Sequence, residues 1–443
     1  MDLNTRLQNV SVVGAAGKMG SGISLLLALE LAYRALEQKD KTYVLNLIDM
    51  NDGALHGLLR YLREQAVKEA EKQMSRLRRL YADRDDLVEN GEMVEAFVHE
   101  VLLHVRTGKT LNLAQDSTLV FEAAFEKEEL KIDLYRELAA KCPQEMYLLT
   151  NTSSIPLHVL AEASGMTGRV IGFHFYNPPA VQKLLEVIKP SVCAEELQTM
   201  ALELAAILGK TVVPSNDIAG FIGNGHFMRD GLHGIREAER LAQEHGLVKA
   251  VYMVNRVSQE WLLRPMGIFQ LIDYVGLDVF QLILRVMDKY LQGGLHSPLI
   301  DRYLDLGVRG GQTSSGGQKD GFLKYEKGAI VGVYDPDRRD YVPLEGTGHP
   351  EADALLGPHP EPALSWKSLQ RAPDREAKLR AYFGGFAFQD TLGVQLAAAH
   401  FRASREASQR LVQDGVAHCA EDVNQVLMLG FFHLYGPIND YLD

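Results

Sequence analysis

The chain has 443 residues, 46% hydrophobic and 23% charged, with 58 acidic against 46 basic side chains and a net charge of −12. At roughly 100–200 residues per domain, that length predicts two or three domains with cores of their own. The acidic balance argues against nucleic acid as a partner. No apolar run is seen that approaches the ~18–20 residues of a membrane span, so no membrane association is expected.

The first residues, Met1-Asp2-Leu3-Asn4-Thr5-Arg6-Leu7, lack the basic-then-apolar pattern of a secretory signal. Cys142, Cys193 and Cys419 are odd in number and far apart. Disulfides and a metal site are therefore not expected, and a reducing, cytoplasmic location is.

Val10-Ser11-Val12-Val13 is a β-branched run that stops at glycine, and Val44 to Ile48, Leu119 to Phe121, Tyr147 to Leu149 and Val170 to Phe173 are similar. Helical patterns such as Glu128 to Lys141 lie between them. Strands alternating with helices predict a parallel α/β sheet. Asp52 to about His104 reads as a pair of long helices inserted into that scheme. After Thr211-Val212-Val213 the pattern is nearly all helical. A Gly-rich passage (Gly307 to Gly321) and a Pro-rich one (Asp335 to Pro373) interrupt it.

Arg236-Glu237-Ala238, Gly246, Val254-Asn255 and Gly267 reappear as Arg405-Glu406-Ala407, Gly415, Val423-Asn424 and Gly436, at a constant offset of 169 residues. Two helical stretches can resemble each other by chance, but a gap-free offset favours duplication of a helical unit. The predicted organisation is a dinucleotide-binding domain over 1–213, a first helical domain over 214–335, a Pro-rich connector over 336–374 and a second, shorter helical repeat over 375–443.

Gly14-Ala15-Ala16-Gly17-Lys18-Met19-Gly20 follows the first strand and opens an apolar helix. A tight turn without ligand explains glycines alone. Here, however, the turn comes directly after a strand, and a second strand ends in Asp49. Backbone amides at the helix start suit a pyrophosphate, and a carboxylate at the second strand end suits ribose hydroxyls while repelling a 2′-phosphate. The context predicts a Rossmann-type domain binding NAD, with Gly14, Gly17, Lys18, Met19, Gly20 and Asp49 at the cofactor. The spacing is one residue longer than the usual glycine fingerprint, and Gly20 to Asp49 exceeds the usual ~20 residues.

Polar residues then collect at predicted strand ends, where open parallel sheets bind ligands. They include Glu122 and Glu126, Asn151-Thr152-Ser153-Ser154, and His174-Phe175-Tyr176-Asn177. A lone histidine at a strand end is usually structural. Glu186, on the short strand after the Pro178-Pro179 turn, changes that reading, because neighbouring strands bring it against His174. A carboxylate that orients the imidazole leaves the other ring nitrogen as a general base.

Asn151 to Ser154, His174-Phe175-Tyr176-Asn177-Pro178, Lys183-Leu184-Leu185-Glu186-Val187-Ile188 and Gly220-Phe221-Ile222-Gly223-Asn224 together resemble the L-3-hydroxyacyl-CoA dehydrogenase family. The likeness runs over about residues 8–330, and Arg264-Pro265-Met266-Gly267 and Asp273 to Asp278 resemble its helical C-terminal domain. The fold implied is an α/β Rossmann-type domain followed by all-α C-terminal domains, the helical unit duplicated. The activity implied is NAD-dependent oxidation of a (S)-3-hydroxyacyl-CoA in fatty acid β-oxidation. By the same resemblance His174 is the base, Glu186 its orienting partner, and Ser153 and Asn224 hydrogen-bond the substrate's oxygens. Glu126, Lys131, Ser153, Asn177 and Lys319 fall near the nicotinamide ribose.

Three departures stand out: the extra turn residue, Gly225 where the family commonly has arginine, and Gly-Gln-Lys-Asp-Gly around Lys319. The region expected to meet CoA matches only in helical character. Its Arg76, Arg78 and Arg79 reach the CoA phosphates or form a solvated helix face, the latter favoured. Alternatives are a dehydrogenase of a free hydroxy acid, as in gulonate-type relatives, and a non-catalytic NAD-binding member. No fused hydratase module is expected, and the chain is a monomer or a homodimer. The second repeat is expected to replace part of the pairing surface of shorter members.

Overall fold

The computed structural model describes residues 1–313, 316–346 and 348–443. It divides into two units, Met1–Asp217 and Ile218–Asp443. The first holds an eight-stranded sheet: β1 (Asn9–Val13), β2 (Val44–Ile48), β3 (Val105–Gly108), β4 (Leu119–Glu122), β5 (Tyr147–Thr150), β6 (Val170–Phe175), β7 (Leu184–Lys189) and β8 (Thr211–Asn216), in spatial order β3-β2-β1-β4-β5-β6-β7-β8. All neighbours are parallel except β6 and β7, which run antiparallel. The strand order reverses between β1 and β4, so the crevice at their carboxyl ends is where a sheet of this kind takes a ligand.

The central strands are buried nearly end to end, which is why they read as continuous apolar runs rather than alternating ones. The edge strand β3, Val-Arg-Thr-Gly, is half exposed and polar, and only its pairing with β2 makes it a strand. The segment read as two helices contains three, Asp52–Lys72, Met74–Leu80 and Asn90–Leu103. Contrary to expectation, the helix Lys18–Glu37 is by length and composition apolar enough to cross a membrane. Its Ile23, Leu27, Ala28 and Leu31 lie in the first unit's core, which is the physical reason for its composition.

The second unit is mainly helical, as expected, but carries a three-stranded antiparallel sheet as well: β9 (Leu323–Glu326), β10 (Ala329–Asp335) and β11 (Asp340–Pro343). The expected connector likewise differs, since it contains β11 and the helices Pro350–Leu356 and Trp366–Leu369. Ala352, Leu356 and Leu369 share one core with the helices on both sides, so apolar burial orders a stretch whose prolines suggested irregularity. Asp273 ties the sheet to the helix Ile268–Val275, accepting from Phe322 N at 2.7 Å, Leu323 N at 2.9 Å and the Tyr325 hydroxyl at 2.9 Å.

The echo in the sequence has a structural counterpart. A Cβ on Gly267 would lie 2.2 Å from Asn255 O, and one on Gly436 would lie 2.1 Å from Asn424 Cγ. Asn255 Oδ1 accepts from Gln270 N at 2.9 Å, and Asn424 Oδ1 from Ile438 N at 3.0 Å. The two copies meet through the helices Gly223–His245 and Leu392–Gln413. Gly225 stands where these helices touch, and a Cβ there would come within 2.8 Å of Leu411 Cδ2. A side chain here requires Leu411 to shift.

A buried polar network also crosses between the copies. Asp230 receives Arg264 at 2.7 Å and His400 Nε2 at 3.1 Å, while Ser404 accepts from Arg264 at 3.1 Å and faces His226 Nε2 at 2.9 Å. Burial raises the proton affinity of the Asp230 carboxyl, but Arg264 and His400 outweigh it and hold the group well below the usual range. Removing one partner of a buried ion pair strands the other, at a cost of about 3–5 kcal/mol. Asp230→Ala should therefore lower the unfolding free energy of the chain by about that amount in urea melts.

Burial, reinforced by neighbouring cations, pushes His226 and His233 down to about 4. The unfolded chain then binds more protons than the folded one between about pH 6.5 and 4. Thermal stability should fall as pH drops through that window, and less steeply in His226→Gln.

Candidate active site

The glycine turn sits at the carboxyl end of β1. Gly14 has φ +75°, and a Cβ there would strike Ala123 O at 2.5 Å; one on Gly20 would strike Gly14 O at 1.9 Å. Both glycines are thus demanded by the fold. Gly17 is different: its φ of −70° is ordinary, and its Cβ would meet nothing nearer than Gly14 O at 3.3 Å. Gly17 and Lys18 are exposed, Met19 is part-buried and Gly20 is buried. No side chain caps the helix that starts here, which leaves amides open to an anion.

Asp49, just past β2, accepts from Ala16 N at 3.1 Å and Asn51 N at 3.0 Å. Ala16, inside the lengthened turn, thus fastens the turn to the carboxylate. An open, uncapped helix start beside a fixed carboxylate fits NAD, with the glycine-turn amides toward the pyrophosphate and Asp49 toward the ribose.

Beyond β4 the acids are used in an unforeseen way. Glu122, fully buried, accepts from Lys131 Nζ at 2.6 Å, Tyr135 OH at 2.8 Å, Thr150 Oγ1 at 2.6 Å and Ala124 N at 2.7 Å. Glu126 Oε1 accepts from Thr152 Oγ1 at 2.7 Å, Ser153 N at 2.9 Å, Ser154 N at 3.1 Å and Ser154 Oγ at 3.0 Å, with Lys131 Nζ 3.4 Å from Oε2. Burial disfavours charge on Lys131, yet Glu122 and Glu126 overcome it and raise its pKa. Burial likewise opposes ionisation of Glu126, while Lys131 and the donors from 152–154 hold its carboxyl low.

The expected group Glu126, Lys131 and Ser153 is therefore brought together, with Glu126 clamping the loop that carries Ser153. Glu122 is among the strand-end polar residues of the sequence reading, but its role as the acceptor for Lys131, Tyr135 and Thr150 was not foreseen. Its signal was an acid at the very end of a strand with a lysine nine residues on.

His174 and Glu186 are direct partners in the β6–β7 register, His174 8% and Glu186 0% exposed. Nδ1 lies 3.1 Å from Glu186 Oε2, so a carboxylate acceptor fixes the proton on Nδ1 and leaves Nε2 as the basic nitrogen. Asn151, at the end of β5, receives Phe175 N at 2.8 Å and pins the end of β6. Asn177 follows in the turn, part-buried, ahead of a cis Pro178.

Asn224 and Lys319 belong to the second unit. Asn224 lies in the first turn of the helix Gly223–His245, and Lys319 is exposed in the loop before β9. Of the arginines considered for CoA, Arg76 pairs with Glu37 at 2.9 Å and covers the Tyr33 ring at 3.7 Å, Arg78 donates to Asn90 Oδ1 at 2.7 Å, and Arg79 is exposed.

An open sheet with a phosphate-ready glycine turn, and a carboxylate-steadied histidine at the same sheet's carboxyl edge, defines a nicotinamide-dependent dehydrogenase. Comparison with known proteins agrees. Residues 9–218 match the NAD binding domain of 3-hydroxyacyl-CoA dehydrogenase, and residues 220–320 match its C-terminal domain. A probable 3-hydroxybutyryl-CoA dehydrogenase of Bacillus subtilis is 30% identical over 318 residues, 71% of this chain and 97% of the relative. The crystal structure of Mycobacterium tuberculosis FadB2 superposes with TM-score 0.54 at 29% identity, over 72% of this chain and 99% of that one. A 3-hydroxybutyryl-CoA dehydrogenase from Escherichia coli K12 shares the fold over 98% of this chain and 90% of its own, with TM-score 0.63 at 22% identity. The chain belongs to the 3-hydroxyacyl-CoA dehydrogenase family and is an NAD-dependent enzyme.

Because the fold leaves Gly17 nearly free to carry a methyl group, Gly17→Val should weaken NADH binding at least tenfold, read by fluorescence titration. The melting temperature should change by only a few degrees.

Proposed function

We propose that the chain oxidises the 3-hydroxyl of a (S)-3-hydroxyacyl-CoA to a 3-oxoacyl-CoA, with His174 as general base. The observation that carries this reading is the buried His174–Glu186 pair, held by adjacent strands at the ligand-binding edge of the sheet. The names of the relatives, 3-hydroxybutyryl-CoA dehydrogenases among them, support the acyl-CoA class.

NAD, when bound, supplies the hydride acceptor. His174 Nε2 accepts the hydroxyl proton as the hydride leaves C3, and the positive charge gained by the ring is matched by the Glu186 carboxylate behind it. Ser153, whose amide is fastened to Glu126, is assigned to a hydrogen bond with the substrate's oxygen. Asn177 and Lys131 are assigned to the cofactor's nicotinamide half.

A positioned general base contributes about 10²–10⁴-fold to such a step. His174→Gln should lose kcat on that scale while still binding NADH, and unchanged turnover would overturn the assignment. NADH formation across a series of 3-hydroxyacyl-CoA chain lengths, beside the free hydroxy acids, reads the substrate class; equal rates with and without CoA would contradict it. The packing of the second helical repeat onto the first further supports a monomer. Light scattering after size exclusion should give about 49 kDa.

A further inference from the structure

We propose that Tyr176 is a positioning residue of this reaction: its hydroxyl shares Glu186 Oε2 with His174 and so tempers the carboxylate's hold on the imidazole. The inference rests on the reading of His174 as base. Tyr176 OH donates to Oε2 at 2.7 Å, closer than His174 Nδ1 at 3.1 Å, and the two rings lie 5.0 Å apart at 44°. One oxygen thus receives two donors from residues two apart in the chain. Glu186 is fully buried, so bulk water does not level the difference between one donor and two.

Burial first, and then the Glu186 charge, pushes the phenol well above its ordinary range, so it stays a donor throughout the working pH. Each bond to the carboxylate spreads its charge. The second one therefore leaves less negative potential to stabilise an imidazolium at His174, and keeps the base from being trapped in its protonated form.

Among the described residues, the elements next to the pair carry the following groups. Phe173 and Phe175 flank His174 on β6 and point to the opposite face. Val213 of β8 pairs with Glu186, and on the β5 side Thr150 and Asn151 are uncharged. On the helix Leu157–Ser164, His158 is bound to Asp217 at 2.7 Å, and on the helix Glu195–Ile207, Glu196 faces Tyr147 OH at 3.4 Å. Lys210 lies 5.6 Å from the Phe175 ring and donates to Pro179 O at 2.5 Å and Gln182 O at 2.7 Å; burial brings it down to about 8. Its titration is common to the enzyme with and without the Tyr176 hydroxyl.

The test is Tyr176→Phe, which removes one oxygen and keeps the ring. A hydrogen bond to a charged group is worth about one pKa unit here. The acidic limb of the pH profile of kcat/KM for 3-hydroxybutyryl-CoA oxidation should move up by about 0.5–1 unit. The same shift should appear in the His174 Cε1–H resonance of the resting variant, titrated by NMR and assigned by its absence in His174→Gln. A limb and a resonance that stay in place, or move to lower pH, would overturn the inference, as would a uniform loss of rate at every pH. If His174→Gln itself retains full activity, it is the base assignment that has failed. If that variant is inactive and the Tyr176→Phe limb does not move, only the role of Tyr176 falls.

Discussion

The bond between His174 Nδ1 and Glu186 Oε2 is the constraint on which the proposed chemistry depends. It exists because β6 and β7 are the one antiparallel pair in an otherwise parallel sheet. A parallel neighbour needs a long crossover, whereas these two strands are joined by a short turn through Pro178 and Pro179 and face each other residue for residue. An imidazole and a carboxylate twelve residues apart are thereby set opposite one another at the ligand-binding edge. Asn151 closes the arrangement from the next strand by receiving the amide of Phe175.

The rest of the first unit builds two further supports for the same edge. The glycine turn is packed so tightly between β1 and β4 that Gly14 and Gly20 are dictated by the protein itself, while Gly17 stays open toward solvent. Glu122, Glu126 and Lys131 form a buried charged network that fixes the loop from Thr152 to Ser154. A buried charge is tolerated when it is paired and hydrogen-bonded, and here every oxygen in use has a donor. The second unit repeats a helical design and stitches the copies together with Asp230, Arg264, His400 and Ser404.

The strands of the central sheet were legible because burial on both faces gives short β-branched runs, and the His174–Glu186 pair because a Pro-Pro turn between two such runs implies a hairpin. The duplication was legible as a constant spacing of Asn and Gly, whose matching contacts the structure supplies at Asn255–Gly267 and Asn424–Gly436. What escaped the sequence reading was whatever rests on partners far away in the chain. β3 is a strand only through β2, Glu122 acquires its meaning from Lys131, Tyr135 and Thr150, and the Pro-rich stretch is ordered by a core it meets only in three dimensions. Tyr176 was read as part of a motif, and nothing in the spacing said where its hydroxyl goes.

The most direct measurement is a crystal structure of the enzyme with NADH and a 3-oxoacyl-CoA. The account requires His174 Nδ1 to remain on Glu186 and Nε2 to stand within about 2.6–3.2 Å of the substrate's 3-oxygen, with that carbon over the nicotinamide ring. An imidazole turned away from the oxygen, or released from Glu186 when the ligands bind, would contradict it.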